Sequence, residues 1–584
     1  MHIESESSFD VIVVGGGIAG CCAAIEAART GASVCLASAS GVFSGSSFYP
    51  GTWGLGLIGP RDAADIDDMV ETILRVGRDV PDAALVESFV RGIPEAIAAL
   101  EAMGVSLKRP ANPDEPQYIP CFDHSPRMWR GLERNSMKRG FEQALCEGEI
   151  VRFDGCELLD IAMDDGRVHG ALFFDHSAKR FRAMSCGAIV LAGGGVAGLY
   201  KRSLSASGNS ATVQALAARC GARLVNLEFM QIMPGLVSPR RNIVFNEKAF
   251  RFARARDASG EPIARDVLEA RSEHGPFSCE RAGAPLDFAM EACGDEGMEI
   301  TCDVGDGSPE FVRTFSEWLE RECGVSASAP ARIAPYAHAS NGGIAIDEHG
   351  ACGVPGLFAA GECTGGMHGA DRIGGLASAN ALVFGRRAGV AAAKFASRNE
   401  FCGAHSAAGF CFSLDSESVS FEIEERAYSS SSAILRELRE TMSAHCMISR
   451  DAEGLKAAAS AISALQARVE EPASAPELTS SAVATVTPAS MTAPSFTAAL
   501  KPEPALGSAP AAAPALKPDP TLESAPSPAS EHAAMAALTP SSDAAPIAAT
   551  MRIRLQLETA SATVAAMLAR KESCGPHYRS DAVQ

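Results

Sequence analysis

Three stretches of the sequence predict an α/β fold with a doubly wound, Rossmann-like sheet. Residues 9–38 follow a βαβ pattern, in which the apolar strand VIVV at 11–14 leads through glycines into an Ala-rich helix at about 19–29 and then the strand SVCLA. The apolar runs GAIVLAGGG at 187–195 and GLFAAGE at 356–362 have the length of further buried strands that end in glycine. The sheet is therefore expected to gather strands from distant parts of the chain.

The first of these strands ends in the glycine pattern G15-x-G17-x-x-G20. In such a turn the first glycine allows the tight bend, the second lets a pyrophosphate approach the backbone, and the third lets the helix pack on the strand. The helix that follows begins at about Ala19 and points its positive end at the anion. The pattern predicts dinucleotide binding, but it does not choose between FAD and NAD. An acidic residue is expected at the end of the second strand, and the chain has Ser38 there.

Composition divides the rest of the chain. The segment after the first nucleotide-binding part is richer in charge and includes the helix-like IARDVLEARSE, which predicts an inserted α+β capping domain. Later residues show helical periodicity, interrupted by a long Ala/Pro/Ser-rich stretch that is too poor in apolar groups to fold and is expected to be disordered. The predicted boundaries are 1–235 and 336–400 for the nucleotide-binding domain, 236–335 for the cap, 415–470 and 550–584 for a C-terminal helical domain, and 471–549 for the disordered insertion.

Charge and cysteine usage exclude several classes of protein. The net charge of -20 would repel nucleic acid. The 18 cysteines never form a C-x-x-C pattern, so no metal site is predicted, and they are typical of reduced thiols. The start of the chain shows no signal peptide, and no uncharged run is long enough to span a membrane. The expectation is a soluble, cytoplasmic protein.

The segment VPGLFAAGECTGGMHGADRIGGLASANALVFGRRAG at 354–389 resembles one family in particular. It is similar to the FAD-binding return segment of the fumarate reductase, succinate dehydrogenase and L-aspartate oxidase flavoproteins, whose members read much like GLYAAGE, then HGANR, then a small-residue helix ending in FGR. The resemblance extends over most of the chain. It also includes SGSS at 44–47, LAGGG at 191–195, EFMQIMP at 228–234, HASNGG at 338–343, and ESCGPHYR at 572–579, which is similar to the ESRGAHYR-type ending of the family.

The resemblance implies FAD as the cofactor. Glu362 is then expected to contact the ribityl or ribose part of the flavin nucleotide, with Gly361 and Ser378 beside the isoalloxazine. Members with covalent flavin carry a histidine in the early Ser/Gly loop, and FSGSSFYPGTWGLGL has none, so FAD is expected to be held non-covalently. The predicted cofactor residues are Gly15, Gly17, Ile18, Ala19, Gly20, Ser38, Ser44, Gly45, Ser46, Ser47, Gly193, Gly194, Gly361, Glu362 and Ser378.

The same resemblance implies a set of catalytic residues. Arg372 in HGADR and His338 in HASNGG stand where family members bind the substrate carboxylate, and an arginine suits that task because its planar fork takes a carboxylate bidentately. The proton-transfer arginine of the family corresponds to Arg265 in ARDVLEA, with Arg271 as the alternative and His274 as a weaker third choice. An arginine gives up a proton with difficulty, so it would need a carboxylate relay.

Two departures from the family affect the expected substrate. Many members have a histidine in a QYHPT-like segment that touches the substrate, where this chain has Met233. Members also have a Thr-Glu pair about a dozen residues later, where this chain has Asn246 and Glu247. A thioether beside the substrate favours something other than plain fumarate, succinate or aspartate.

The sequence therefore predicts an FAD-dependent oxidoreductase that moves a hydride between flavin N5 and a small organic acid. Two alternatives stay open. One is L-aspartate oxidase proper, which the helical C-terminus favours. The other is an electron-transfer flavoprotein subunit that works with a separate partner chain.

Overall fold

The structure, a computed structural model, describes residues 2–112, 115–326, 328–398, 411–413, 421–470 and 544–582. Most of the predicted insertion therefore lies outside the described residues. The described strands are β1 His2–Val14, β2 Val34–Ser38, β3 Leu55–Gly59, β4 Leu107–Lys108, β5 Met128–Leu132, β6 Val151–Asp154, β7 Cys156–Asp164, β8 Arg167–Asp175, β9 Arg180–Leu191, β10 Leu224–Val225, β11 Met230–Ser238, β12 Ile243–Val244, β13 Ala253–Arg256, β14 Met298–Cys302, β15 Ala331–Ser340, β16 Gly343–Ala345, β17 Leu357–Ala359, β18 Thr364–Gly365, β19 Cys411–Ser413, β20 Ser449–Arg450 and β21 Tyr578–Arg579. The described α-helices are α1 Ile18–Arg29, α2 Asp65–Val76, α3 Ala83–Ala102, α4 Arg134–Glu147, α5 Val213–Arg219, α6 Arg265–Arg271, α7 Ala284–Ala292, α8 Glu310–Cys323, α9 Leu376–Arg398, α10 Phe421–His445, α11 Ala452–Glu470 and α12 Ala544–Ala569.

The nucleotide-binding sheet has the strand order β6-β2-β1-β9-β8-β7, with β17 also paired to β9. The pairs β6–β2, β2–β1, β1–β9 and β9–β17 are parallel, whereas β8 and β7 continue the sheet in antiparallel pairs. Side chains of β1 alternate between two cores, because Val11 and Val13 pack on the α1 side and Ile12 and Val14 on the α5 side. Helices therefore cover both faces, which confirms the predicted doubly wound α/β fold.

The small-residue helix α9 packs directly against α1. A side chain at Gly385 or Gly389 would overlap the backbone of α1 at Ala19 or Ala23. These glycines let the two helices approach closely, which fixes α1, and hence the glycine turn before it, against the rest of the domain.

The cap is built on a second sheet with the order β12-β11-β15-β14-β13. Its core includes Phe245, Phe250 and Phe315. The predicted boundaries at 235/236 and 335/336 fall inside β11 and β15, because the strands by which the chain enters and leaves the cap belong to the cap's own sheet.

The C-terminal helices α10, α11 and α12 share one core. Helix α12 begins at Ala544, six residues before the predicted boundary at 550, so residues 544–549 belong to the helix and not to the insertion. Proline is tolerated in the first turn of a helix, so Pro546 does not prevent this start. Ala544 and Ala548 pack on the antiparallel part of the nucleotide-binding sheet. No described helix is long and apolar enough to cross a membrane.

Candidate active site

Packing against neighbouring backbone requires glycine at two positions of the turn between β1 and α1. Gly15 has φ +118°, and a side chain there would overlap the carbonyl of Ala192. A side chain at Gly20 would overlap the carbonyl of Gly15. Gly17 faces open space, since the nearest atom to an added Cβ is Ser47 Oγ at 3.6 Å. The turn therefore leaves one face of the backbone free for an anion at the start of α1.

A large cavity extends from this turn to the cap and brings together most of the predicted cofactor residues. Gly20 is the exception, because it packs inside the turn. The predicted cofactor residues on the cavity wall are Gly15, Gly17, Ile18, Ala19, Ser38, Ser44, Gly45, Ser46, Ser47, Gly193, Gly194, Gly361, Glu362 and Ser378.

The nucleotide end of the cavity contains a polar group that needs a ligand. Asn209 is buried beside Gly194 and lines the cavity, yet neither its amide nitrogen nor its amide oxygen has a partner within the described chain. Buried amides are rarely left unpaired, so a polar ligand at this position explains the arrangement. The open glycine backbone and the serines of the wall fit the same interpretation, and the residues present fit FAD.

Ser38 does not replace the missing acidic residue. Its hydroxyl donates to Gly41 O at 2.9 Å and accepts from Gly41 N at 3.2 Å, so it closes the turn after β2. The carboxylate of Glu157 also lines the cavity, but it is ion-paired with Arg552 and bonded to His176. Glu157 was not recognised in the sequence because its strand, β7, follows the pattern of an ordinary sheet edge.

Glu362 is held between two segments that sequence reasoning did not connect. Its Oε1 accepts from Ser340 N at 3.1 Å, and a side chain at Gly195 would overlap the carboxyl group. Burial raises the pKa of Glu362 above its usual value. The third glycine of LAGGG is therefore required to make room for the carboxyl group of the return segment.

Arg372 lies at the cap end of the cavity, where Glu362 acts on its charge from a distance but does not contact it. It is buried, its Nε donates to Gln231 Oε1 at 3.0 Å, and Gln231 Nε2 donates back to Arg372 O at 3.2 Å. No ion pair joins Arg372 to a carboxylate of the described chain. Burial lowers the pKa of Arg372, but a guanidinium stays charged in proteins. A buried cation that lines a cavity and has no carboxylate in direct contact is a candidate binding site for an anion. Gln231, in EFMQIMP, was not singled out in the sequence.

A β-bulge directs His338 into the same cavity. Gln231 pairs with Ala339 and Ile232 pairs with Ala337, so His338 is the extra residue on β15. Its Nδ1 has no partner among the described residues. Burial, together with the charge of Arg372, lowers the pKa of His338 to about 3. The imidazole is therefore neutral near pH 7, so it offers hydrogen bonds and not a second positive charge.

The two departures from the family pattern have different structural roles. Met233 lines the cavity, whereas Asn246 caps a short helix by accepting from Lys248 N at 3.0 Å and does not reach the wall. Glu247 lines the cavity and accepts from Cys121 Sγ at 3.1 Å. The structure therefore places Met233 and Glu247 with Arg372 and His338, and leaves Asn246 outside.

Neither candidate proton-transfer arginine lines the cavity. Arg265 is 56% exposed and pairs with Glu269, and its guanidinium also donates to Arg251 O. Arg271 is fully buried and forms a bidentate pair with Asp287 at 2.7 and 3.1 Å. His274 is buried beside them and is bonded to Pro276 O. Short-range sequence patterns locate helix α6, but they do not determine which side of it faces the site.

Substitution should distinguish these two arginines by stability. Arg271→Gln is expected to lower the free energy of unfolding by about 3 kcal/mol, because it leaves Asp287 buried without its partner. Arg265→Gln should change it by less than about 0.5 kcal/mol, since the pair it breaks is exposed. Urea unfolding of both variants measures the difference. If the turnover number of Arg265→Gln falls about 100-fold with KM unchanged, Arg265 acts in proton transfer and α6 must approach the cavity.

A second ionisable side chain, that of Asp371, is also buried, and it stands immediately before Arg372 in the sequence. Its Oδ2 accepts from Ser278 Oγ at 2.8 Å, and its Oδ1 has no partner within the described chain. Burial raises the pKa of Asp371 to about 7, although Arg78 and Arg281 act in the opposite direction and Glu280 supports the rise. The family motif HGANR has an uncharged asparagine at this position.

We expect Asp371→Asn to stabilise the protein increasingly as the pH rises above about 4. The folded-state pKa of about 7 lies above the ordinary value of 3.8, so the stability that the protonated form provides is lost as pH rises between these values. The variant should match the wild type near pH 4 and exceed it by about 2–4 kcal/mol near pH 8. Thermal unfolding across this range measures the gap, and the exposed substitution Asp306→Asn is the control. A gap that does not change with pH would contradict the prediction.

The loop after β2 contacts the cap beside the cavity. The sequence predicted a role in the site only for the serines of this loop. Val244 N donates to Gly51 O at 2.8 Å, and Tyr49 Oη donates to Asn242 O at 2.6 Å. Trp53 lines the cavity and its ring meets that of Phe311 at 4.6 Å. These contacts hold the cap against the nucleotide-binding domain.

The fold and the cavity together define a class of protein that binds a dinucleotide at the carboxyl ends of its parallel strands. Comparison with known proteins agrees. A family profile described as "FAD binding domain" matches residues 10–377, which is more than half of the chain, and one described as "Fumarate reductase flavoprotein C-term" matches residues 542–584. The chain belongs to the family of FAD-dependent oxidoreductases that includes fumarate reductase flavoproteins and L-aspartate oxidases, as the sequence predicted, and its cofactor is FAD.

Some of the similar proteins are named fumarate reductases and others L-aspartate oxidases. A fumarate reductase (CoM/CoB) polypeptide from Methanothermobacter marburgensis is 30% identical over 425 residues, which cover 66% of this chain and 72% of the relative. An L-aspartate oxidase from Halobacterium salinarum is 31% identical over 409 residues, which cover 66% and 75%. The FrdA chain of E. coli quinol fumarate reductase has the same fold, with a TM-score of 0.70 at 21% identity over 98% of this chain and 92% of FrdA.

Proposed function

We propose that the protein transfers a hydride between the N5 atom of FAD and a carbon–carbon bond beside the carboxylate of an organic acid. One observation carries the proposal: Arg372 presents a buried positive charge to the cavity, and no carboxylate of the described chain forms a direct ion pair with it. A substrate carboxylate is the natural ligand for such a guanidinium, because the two groups match in shape and charge.

The chain's own residues divide the work of that reaction. Arg372, oriented by Gln231, binds the carboxylate, and neutral His338 supplies a further hydrogen bond. Bound FAD supplies the hydride acceptor or donor. Glu247 lines the cavity and is the carboxylate relay that moves a proton to or from the carbon next to the carboxylate. The contacts between cap and loop around Gly51 exclude water from the bond that reacts.

The electrons are proposed to come from, or pass to, a separate partner. Two of the structurally similar proteins support this, since they are the FrdA chain of quinol fumarate reductase and the Sdh1 complex of Mycobacterium smegmatis. Within the described residues, no group of acidic, histidine or cysteine side chains is arranged to hold a metal ion. We further propose a cytoplasmic location, which the free thiols of the described cysteines favour.

FAD is proposed to be held without a covalent bond. Among the described residues on the cavity wall, His338 is the single histidine, and it lies at the cap end beside Arg372. Precipitation of the yellow protein with acid should release all of the flavin into the supernatant. Flavin that stays with the washed pellet would contradict this prediction.

Turnover measurements test the proposed function directly. Under anaerobic conditions, the holoenzyme should oxidise reduced methyl viologen on addition of an unsaturated acid such as fumarate, crotonate or cinnamate, and Arg372→Gln should lose that activity. Saturated acids with an oxidised dye test the reverse direction. If no acid is turned over in either direction, the proposal fails.

L-Aspartate oxidase is a second candidate, which the 31% identity to the Halobacterium salinarum enzyme favours. Aspartate carries an ammonium group that needs an anion, and Glu247 is available on the wall. Formation of hydrogen peroxide from aspartate and oxygen distinguishes this candidate from the first.

A further inference from the structure

We propose that the cavity selects an α,β-unsaturated monocarboxylate whose β-carbon bears an apolar group, either an aromatic ring or a branched alkyl chain. This inference rests on the proposed function, since it names the substrate class of the same site. It follows from the charges on the wall, from the position of an apolar surface relative to Arg372, and from the contacts that hold that surface in place.

The charges of the wall accommodate one carboxylate and not two. Among the described residues that line the cavity, Arg372 is the single arginine or lysine. The carboxyl groups of Glu247 and Glu362 lie on the same wall, so it offers no further positive charge to a second substrate carboxylate. Burying an unpaired anion is strongly unfavourable, so a dicarboxylate would leave one end without compensation.

The surface available to the other end of the substrate is apolar. Leu204, Met233 and Val244 come from three separate segments of the chain and meet on the cavity wall. Behind them lie Ala334 and Tyr336, both buried, so the apolar layer continues into the cap. The flexible thioether of Met233 can adapt to the shape of a hydrocarbon group.

The spacing along β11 relates this surface to the cation. Gln231, which holds Arg372, and Met233 are two residues apart on one strand, so their side chains share a face about 7 Å apart. Ile232 between them faces another core. The residue that orients the carboxylate clamp and the residue that supplies the thioether are therefore neighbours on one face of β11. We place a substituent on the third carbon of the enoate beside Met233, on the cavity wall.

The apolar surface is held in place. The backbone of Leu204 donates to Ala337 O at 2.9 Å, and that of Val244 donates to Gly51 O at 2.8 Å. Trp53 lines the same cavity and packs against Phe311 and Phe315 of the cap. A fixed hydrocarbon wall with an aromatic neighbour favours an apolar substituent over a second carboxylate, because it supplies no positive charge.

The reaction is a two-electron reduction. The third carbon of the enoate accepts a hydride, the second carbon accepts a proton, and the π bond between them is lost, which gives the saturated acid. The two electrons reach FAD from an external one-electron donor, for which reduced methyl viologen serves in the assay.

Matched acids test the selection. With reduced methyl viologen as donor, the holoenzyme should reduce cinnamate with kcat/KM at least about 100-fold above that for fumarate, and about 10-fold above that for crotonate, which has only a methyl group. Calorimetric titration should show 3-phenylpropanoate binding more tightly than succinate, which is a readout that does not require turnover.

Substitutions of Met233 test whether its side chain determines the preference for cinnamate over fumarate. Met233→Gln, close in size but polar, should lower kcat/KM for cinnamate about 10-fold and raise it for fumarate, whereas Met233→Leu should keep the preference for cinnamate. Val151→Gln, on an exposed strand, is the control for an apolar-to-amide change.

The outcomes separate the two proposals. Equal or better reduction of fumarate, with that activity lost in Arg372→Gln, would overturn the substrate class and leave the proposed function intact. Tighter binding of succinate than of 3-phenylpropanoate would also overturn the class, even if Met233→Gln fails to fold. Absence of turnover for every acid would overturn both.

Discussion

Replacing Arg372 with glutamine is expected to lower kcat/KM for the acid substrate by about 1000-fold while FAD stays bound. The reason is that Arg372 is the single arginine or lysine among the described residues of the cavity wall, so nothing replaces its charge at the carboxylate. Arg372→Lys should lose about 100-fold, because the ammonium keeps the charge but lacks the planar fork that binds two oxygens and Gln231 together. Steady-state kinetics with reduced methyl viologen measure both losses.

The control is Arg468→Gln, which removes an exposed arginine that pairs with Glu437 on the C-terminal helices. It should leave kcat/KM unchanged. Visible absorbance of the flavin per mole of protein verifies that the cofactor is retained in all three variants. If Arg372→Gln keeps kcat/KM within about threefold of the wild type, Arg372 is not the carboxylate clamp.

Glu247→Gln should lower kcat by about 100-fold with little change in KM. The amide keeps the size of the side chain and can still accept from Cys121, but it cannot carry a proton. Because proton transfer occurs in the reaction and not in binding, the loss should fall on kcat.

Glu299→Gln is the matched control, since Glu299 is an exposed residue of β14 in the same cap sheet. Its kinetics should equal those of the wild type. A full kcat in Glu247→Gln would exclude Glu247 from proton transfer and return that role to an arginine of helix α6.

Local sequence determined the nucleotide-binding half of this protein. The glycines before α1 and the short apolar strands act through backbone geometry and strand burial, which depend on near neighbours in the chain. For this reason β1, β2, β9 and β17 lie where the sequence predicts them, and Gly15 and Gly17 lie on the cavity wall. The return segment around Glu362 then identified the flavin nucleotide, because its order of motifs is shared by the family.

Only the tertiary structure decided which side chains meet at the cap end of the cavity. The bulge that directs His338 inward depends on the register of two strands about 100 residues apart, and no local pattern encodes it. The bond between Gln231 and Arg372 and the meeting of Leu204 with Met233 and Val244 arise the same way. Helix α6 was predicted correctly as a helix, but the direction of its side chains was not. Packing against the cap core leaves Arg265 in solvent and pairs Arg271 with Asp287. Long-range packing therefore determined which side chains line the cap end of the cavity, whereas short-range sequence patterns were enough to identify FAD as the cofactor.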